Sequence, residues 1–271
     1  MEQSTSLRLL SLIFGQSGNR ALPGAGRAGL LATFIMLTTA AQAVAATEIA
    51  VGIGGNVTFT PYKRYDTQWT LLPMIDLDSE YLYIRGTTAG VKICNLDFLE
   101  VSVFGAYDAT SFDTTDTSDA RLRLLQDRDA SVAAGMEIRL LTPYGMLHAS
   151  AARDILNNSN GWNGALGYVY SVELGPLEII PAAGLYWSDS RYTSYYYGIS
   201  GRESRKSGLA PYDPGGRSSP YLGLTMSYSL TDTWDIFCSG EIVFLDGEIQ
   251  DSPMVGKSQI RSLTIGIMYT F

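Results

Sequence analysis

The residue that most invites a chemical reading is His148, the single histidine of a 271-residue chain. A lone imidazole can act as general base to a serine when a carboxylate orients it and all three groups lie within hydrogen-bond reach. Nothing in the sequence sets a serine and a carboxylate beside His148, so the spacing favours an interior histidine held by hydrogen bonds. Cys94 and Cys238 lie far apart and are predicted to be unpaired structural thiols. With one histidine they are too few for a Cys/His metal site. We therefore predict no catalytic residue, no metal ligand and no cofactor.

Two loop-like stretches carry the remaining chemistry-bearing side chains. Residues 188–219 hold Tyr192, Tyr195, Tyr196, Tyr197, Arg202, Arg205 and Tyr212. Tyrosine and arginine are enriched at binding hot spots, yet the same composition suits a loop folded over a barrel mouth. Both readings stand at this level. Residues 108–129 are acidic, with Asp108, Asp113, Asp116, Asp119, Asp127 and Asp129, and include Arg121, Arg123 and Arg128. Their spacing matches no defined oxygen-ligand loop for divalent cations, so a solvated loop is expected.

The elements that must position these groups are strands. In Ser262–Phe271, Leu263, Ile265, Ile267, Tyr269 and Phe271 alternate with smaller or more polar residues. Strict period two places one face of a strand in an apolar medium and the other in a tighter or wetter one. The pattern returns in 48–57, 98–107, 131–140, 146–154, 163–174, 177–187, 221–230 and 234–244. Each is about the 9–11 residues that a tilted strand needs to cross a bilayer. The polar partners include Lys92, Glu100, Glu137, Arg139, Asp154, Glu173, Glu178, Asp235 and Glu241. Facing inward, they would form either a hydrogen-bonded filling of a narrow lumen or an acidic lining that favours cations.

Short turns at 142–145, 175–176 and 231–233 alternate with long polar connections at 108–129, 155–162, 188–219 and 246–258. Transmembrane barrels have short periplasmic turns and long external loops, which places Phe271 on the periplasmic side. The predicted fold is all-β, a closed antiparallel up-and-down transmembrane β-barrel. Strand number is ten if 70–80 is a hairpin extension, or twelve if 81–94 holds two short strands.

Residues 1–45 read as an export segment rather than as part of the fold. Arg20 and Arg27 precede the apolar run 30–37, and Ala41-Gln42-Ala43 and Ala43-Val44-Ala45 offer cleavage sites. The barrel domain is then 46–271. The chain carries a net charge of −8, and the segment 1–45 holds three arginines and one glutamate, so the remainder is more acidic still. That excludes nucleic acid as a partner of choice. The plentiful glycine (28) and tyrosine (17) suit a small barrel with aromatic girdles.

Tyr196-Tyr197-Gly198-Ile199-Ser200, followed by Ser207-Gly208-Leu209-Ala210-Pro211-Tyr212-Asp213-Pro214-Gly215, resembles the signature of the MltA-interacting protein (MipA/OmpV) family. Leu72-Pro73-Met74-Ile75-Asp76, Leu122-Arg123 through Asp127 to Val132, and Asp251-Ser252-Pro253-Met254-Val255 match in the same order. Leu124-Leu125-Gln126, where the family tends to carry glycines, and the acidic, threonine-rich Asp113–Asp119 depart from it.

The resemblance implies an outer-membrane barrel without known catalytic residues, acting as a scaffold between a lytic transglycosylase and a murein polymerase. It marks Tyr196, Tyr197, Gly198, Gly208, Pro211, Tyr212 and Asp213 as a candidate interaction loop. A final strand ending in Tyr269 and Phe271 is similar to the signal read by the barrel-assembly machinery, with outer-membrane lipid as surrounding medium. The alternatives are a narrow pore for small or cationic solutes, or a surface adhesin.

Overall fold

The computed structural model describes residues 48–271, so the predicted export segment lies outside the described residues. Thirteen strand segments form one antiparallel sheet closed on itself: β1 (Glu48–Phe59), β2 (Gln68–Asp78), β3 (Leu82–Arg85), β4 (Thr88–Leu96), β5 (Leu99–Asp108), β6 (Ser131–Thr142), β7 (Gly145–Asp154), β8 (Trp162–Val169), β9 (Val172–Leu174), β10 (Leu177–Ser188), β11 (Arg217–Ser229), β12 (Trp234–Phe244) and β13 (Gln259–Thr270). Segments β8 and β9 are one wall strand interrupted at Tyr170 and Ser171, both laddered to β10. The barrel therefore has twelve strands. Closure is made by β1 against β13, from Ala50↔Thr270 to Phe59↔Arg261.

The strand count settles on twelve because 81–94 holds two short strands. Arg85 pairs with Thr88 across a two-residue turn in which Gly86 takes φ +61°, a conformation glycine adopts without steric cost. β2 is a full wall strand, not an external hairpin extension.

Period two sorts the side chains as predicted. Leu222, Leu224, Met226 and Tyr228 of β11 are exposed on the outer face, while Tyr221, Thr225 and Ser227 are buried inside. Outward aromatics gather in two bands. Phe59, Trp69, Trp162 and Phe244 ring the long-loop end; Tyr81, Phe98, Tyr144, Trp234 and Phe271 ring the turn end. These are the girdles of a membrane-embedded barrel.

The long connections are not solvated loops. Residues 189–216 contain two helices, α1 (Ser190–Tyr197) and α2 (Gly201–Ser207). Asp189 caps α1 by accepting from the Tyr192 amide at 2.9 Å. Ser200 and Glu203 form a reciprocal capping box on α2. The stretch 108–129, expected to be solvated, instead buries Phe112, Leu122 and Leu125. Its three apolar residues outweigh the surrounding acids because they have a hydrophobic cluster to join, built by Tyr62, Tyr196, Tyr197, Ile249 and Met254.

Candidate functional site

Inward charges converge in the half of the lumen nearer the short turns. Parity points Arg85 of β3, Lys92 of β4, Glu100 of β5 and Glu137 and Arg139 of β6 at one another. The ladders then align Glu100 with Arg139, and Arg139 with His148. Arg85 grips Glu100 through Nη1 at 2.9 Å and Nη2 at 3.1 Å, and reaches Asp78 at 2.7 Å. Lys92 Nζ lies 2.5 Å from Asp78 Oδ1 and 3.5 Å from Glu100 Oε2. Arg139 Nε is 3.0 Å from Glu137 Oε1, and His148 Nδ1 is 3.8 Å from the same oxygen. The cations Arg85, Lys92 and Arg139 thus face the anions Asp78, Glu100 and Glu137, and the buried Asp76 of β2 stands opposite Arg85.

A mutually bonded cluster fills space and holds its charges in place, whereas a cation filter needs acid groups facing water. Of the other predicted inward groups, Glu241 accepts from Tyr186 Oη at 2.7 Å and Asp235 from Ser229 Oγ at 2.6 Å. Asp154 accepts from Ser131 Oγ and from the amides of Leu156, Ser159 and Asn160. Glu178 takes the Ser171 hydroxyl, whereas Glu173 is exposed on β9. Arg85 and Asp78 are absent from the predicted inward set because the path of 70–94 stays open between two readings in the sequence; the alternation of Tyr83 and Arg85 with Leu82 and Ile84 is the available signal.

The other end of the lumen is roofed. Arg128 is the hinge of the roof: Nη2 pairs with Glu203 Oε1 at 2.7 Å, Nε donates to the Tyr195 carbonyl at 2.6 Å, and Nη1 donates to the Gln126 carbonyl at 2.7 Å. Burial alone would raise the Glu203 carboxyl, but hydrogen bonds from Arg128, Ser200 and the Gln126 amide hold it at about 2. Tyr62 packs against Phe112 and Tyr197, with ring centroids 4.9 and 5.7 Å away. Tyr192 is buried with its hydroxyl 2.8 Å from Asp108 Oδ2, and that burial together with the nearby carboxylate pushes the phenol well up.

The candidate interaction loop divides between these environments. Tyr196 and Tyr197 are both 0% exposed, and Gly198 is buried beside them, so none of the three presents a contact surface. Gly208 is the exposed left-handed cap of α2 at φ +70°. Pro211 and Asp213 are exposed, and Tyr212 is half-buried, donating to the Glu248 carbonyl at 2.9 Å. Tyr269 and Phe271 pack edge to face, centroids 5.0 Å apart, at the turn-end rim. Among the described residues, no group of three or more His, Cys, Asp or Glu converges as a metal cage, and Cys94 and Cys238 are free thiols.

A family model described as "MltA-interacting protein MipA" matches residues 51–271, nearly the whole of the barrel. The chain belongs to the MltA-interacting protein family. Among its relatives, the MltA-interacting protein of Escherichia coli K12 is 34% identical over 243 residues, covering 89% of this chain and 98% of the relative. A putative outer membrane protein, YiaT, of the same organism is 33% identical over 226 residues, covering 83% and 92%. The outer membrane protein OmpV of Vibrio cholerae is 27% identical over 147 residues, covering 54% and 57%. Family membership places the barrel in the outer membrane and agrees with the girdled, twelve-stranded wall.

Proposed function

We propose that this barrel is a non-enzymatic, non-conducting interaction scaffold of the outer membrane. The observation that carries this reading is the double closure of the lumen, with a mutually bonded charge cluster towards the turns and a hydrogen-bonded roof under the loops. The partner class comes from the family: the relatives' name is that of a protein that interacts with MltA, a lytic transglycosylase in the resemblance described above. A murein-bound partner would meet the periplasmic rim, where Tyr81, Phe98, Tyr144 and Phe271 are 56–79% exposed. A specific interface buries at least about 1,000 Å² in total, more than one turn offers, so several turns would have to share the contact. On the opposite side, Pro211, Tyr212 and Asp213 line an outward cleft, which we assign as the external contact surface of the loop.

Mild crosslinking in envelopes followed by detergent extraction should recover a lytic transglycosylase with the barrel. Recovery of no murein enzyme would overturn the scaffold reading. Planar-bilayer recording of the folded protein should show no discrete conductance steps; regular cation-selective steps would establish a pore instead.

A further inference from the structure

Round the wall, each strand is laddered on both edges along most of its length, with one exception. The ladder of β2 to β3 consists of Asp76, Leu77 and Asp78, extended by one bond from the Gly86 amide to the Ile75 carbonyl at 3.1 Å. Beyond it, the edge of β2 from Gln68 to Met74 faces no strand. Across the gap the hairpin tip is tied to β5 by the Tyr107 amide donating to the Thr87 carbonyl at 3.1 Å. Above it the two loops join, with Asp66 N–H on the Asp116 carbonyl at 2.9 Å and Gln68 Nε2 on Asp116 Oδ2 at 3.0 Å. The result is a framed opening in the side of the barrel. At the hairpin tip three strand spacings of ~4.8 Å separate β2 from β5 by ~14 Å, and because β5 ends at Asp108 the far margin of the opening is the stretch that follows it.

The residues around the opening fit an edge that stays open. Pro73 has no N–H to offer a ladder and is tolerated where none is needed. Trp69 and Leu71 are 78% and 70% exposed, against 55% for Leu222 and 58% for Ile265 on fully flanked strands. The Thr70 hydroxyl is buried without a hydrogen-bond partner. Because Trp69 belongs to the loop-end aromatic girdle, the opening lies at the level of the outer leaflet. Unpaired peptide groups facing hydrocarbon there are costly, which favours an occupant able to cover them.

Behind the opening is a cavity of about 140 Å³, similar to the ~150 Å³ of a cavity that admits benzene. It begins at Thr87 and Tyr107, passes Phe104 and Ala106, and ends against Arg217 on the far wall. Arg85, Glu137, Arg139 and His148 line it below, Asp108 and Tyr192 line it above, and Thr87 and Tyr107 bring it to the hairpin tip at the margin of the opening. Arg217 donates to Ser188 Oγ at 2.9 Å and Ser219 Oγ at 3.2 Å and lies near the faces of Tyr192 and Tyr197. It pairs with no carboxylate among the described residues. A cation at the blind end of a partly apolar cavity opening sideways into lipid has the layout of a site for an anionic head and an apolar tail.

We propose that this opening admits a single-chain anionic amphiphile of the fatty-acid class from the outer leaflet, carboxylate on Arg217, chain across Phe104 and Ala106 and out past Leu71. The site is independent of the scaffold reading, since it needs neither a through-pore nor a periplasmic partner. The test uses the folded full barrel in phosphatidylcholine vesicles with a photoreactive fatty acid whose diazirine sits mid-chain. Labelled residues are mapped by mass spectrometry. Label should appear on Phe104, and Arg217→Gln should lower that label at least fivefold, while Lys206→Gln, an exposed cation of α2, leaves it unchanged. Ala133→Phe, which fills the cavity, should abolish it, with folding of each variant checked by heat-modifiable mobility. Label confined to the outer face, as at Leu222 and Ile265, would overturn the proposal. So would equal labelling by the corresponding fatty alcohol, or a second polypeptide crosslinked along Gln68–Met74, which would assign the edge to strand addition.

Discussion

The roof offers the sharpest test, through Glu203→Gln. In the native structure this carboxylate accepts from Arg128 Nη2 at 2.7 Å, the Gln126 amide at 3.1 Å, the Ser200 amide at 2.9 Å and Ser200 Oγ at 2.7 Å. It therefore ties α2 to the stretch before β6. Glutamine keeps the shape but loses the charge, and its NH2 group faces donors on one side. Hydrogen bonds to a charged group contribute about 1.5–3 kcal/mol each, and a partly screened site belongs near the lower end. A loss of about 2 kcal/mol corresponds to a roughly 30-fold rise in local opening. Hydrogen exchange read by mass spectrometry on the detergent-folded barrel should thus speed up about 30-fold in peptides covering 198–208 and 122–130. Peptides from β11 and β12 should not change.

The pH dependence fixes the sign. Glu203 has a folded pKa of about 2, below its ordinary value, so its contribution is complete above roughly pH 4.5 and is lost as pH falls towards 2. Wild-type protection of the roof should fall across that interval, and the variant's should be flat. Unchanged exchange at pH 7, or the same pH profile in both proteins, would refute the role given to this carboxylate.

Three further outcomes follow from the wall. Glu100→Ala strips Arg85 of a bidentate partner within the lumen and should destabilise the barrel by about 3–5 kcal/mol in urea titrations monitored by tryptophan fluorescence; a change below ~1 kcal/mol would contradict the cluster's role. Deleting Phe271 removes its amide bond to the Ile49 carbonyl (3.0 Å) and its contact with Tyr269, and should lower the yield of heat-modifiable, membrane-inserted protein several-fold; full yield would argue against an assembly signal there. Gly52→Val should block folding, because a Cβ at this position would stand 2.2 Å from the Ile267 carbonyl oxygen; a normally migrating folded band would refute the close approach of β1 and β13.

Most of the wall was legible in the sequence because a barrel in lipid enforces period two on every full crossing. Leu222 to Leu230 and Leu263 to Phe271 could be read residue by residue. The β3–β4 hairpin was legible only as one of two options, since Leu82–Arg85 is too short for alternation to stand out and its partner turn lies inside the wall. Arg85 and Asp78 of the lumen cluster stayed hidden with it. The loops failed for a different reason: Phe112 and Leu122 are isolated among aspartates, and only the packing of Tyr62, Tyr196 and Tyr197 around them reveals a core. The family segment was visible as a motif, but Tyr196 and Tyr197 are buried in the roof while Tyr212 is half-buried, a distinction that burial supplies and spacing does not.

The seam between β1 and β13 has a kinetic consequence. Asn56 Nδ2 donates to Thr264 Oγ1 across 208 positions of chain, so the bonds that convert an open sheet into a closed wall join its two ends. Until the last strand is delivered, both margins of the sheet expose unpaired peptide groups, a state that hydrocarbon does not tolerate. Closure of so distant a contact is slow, and partial products gain little from the strands already in place. Assembly is therefore close to all-or-none in chain length, and the final ten residues govern whether the preceding two hundred have a membrane to live in.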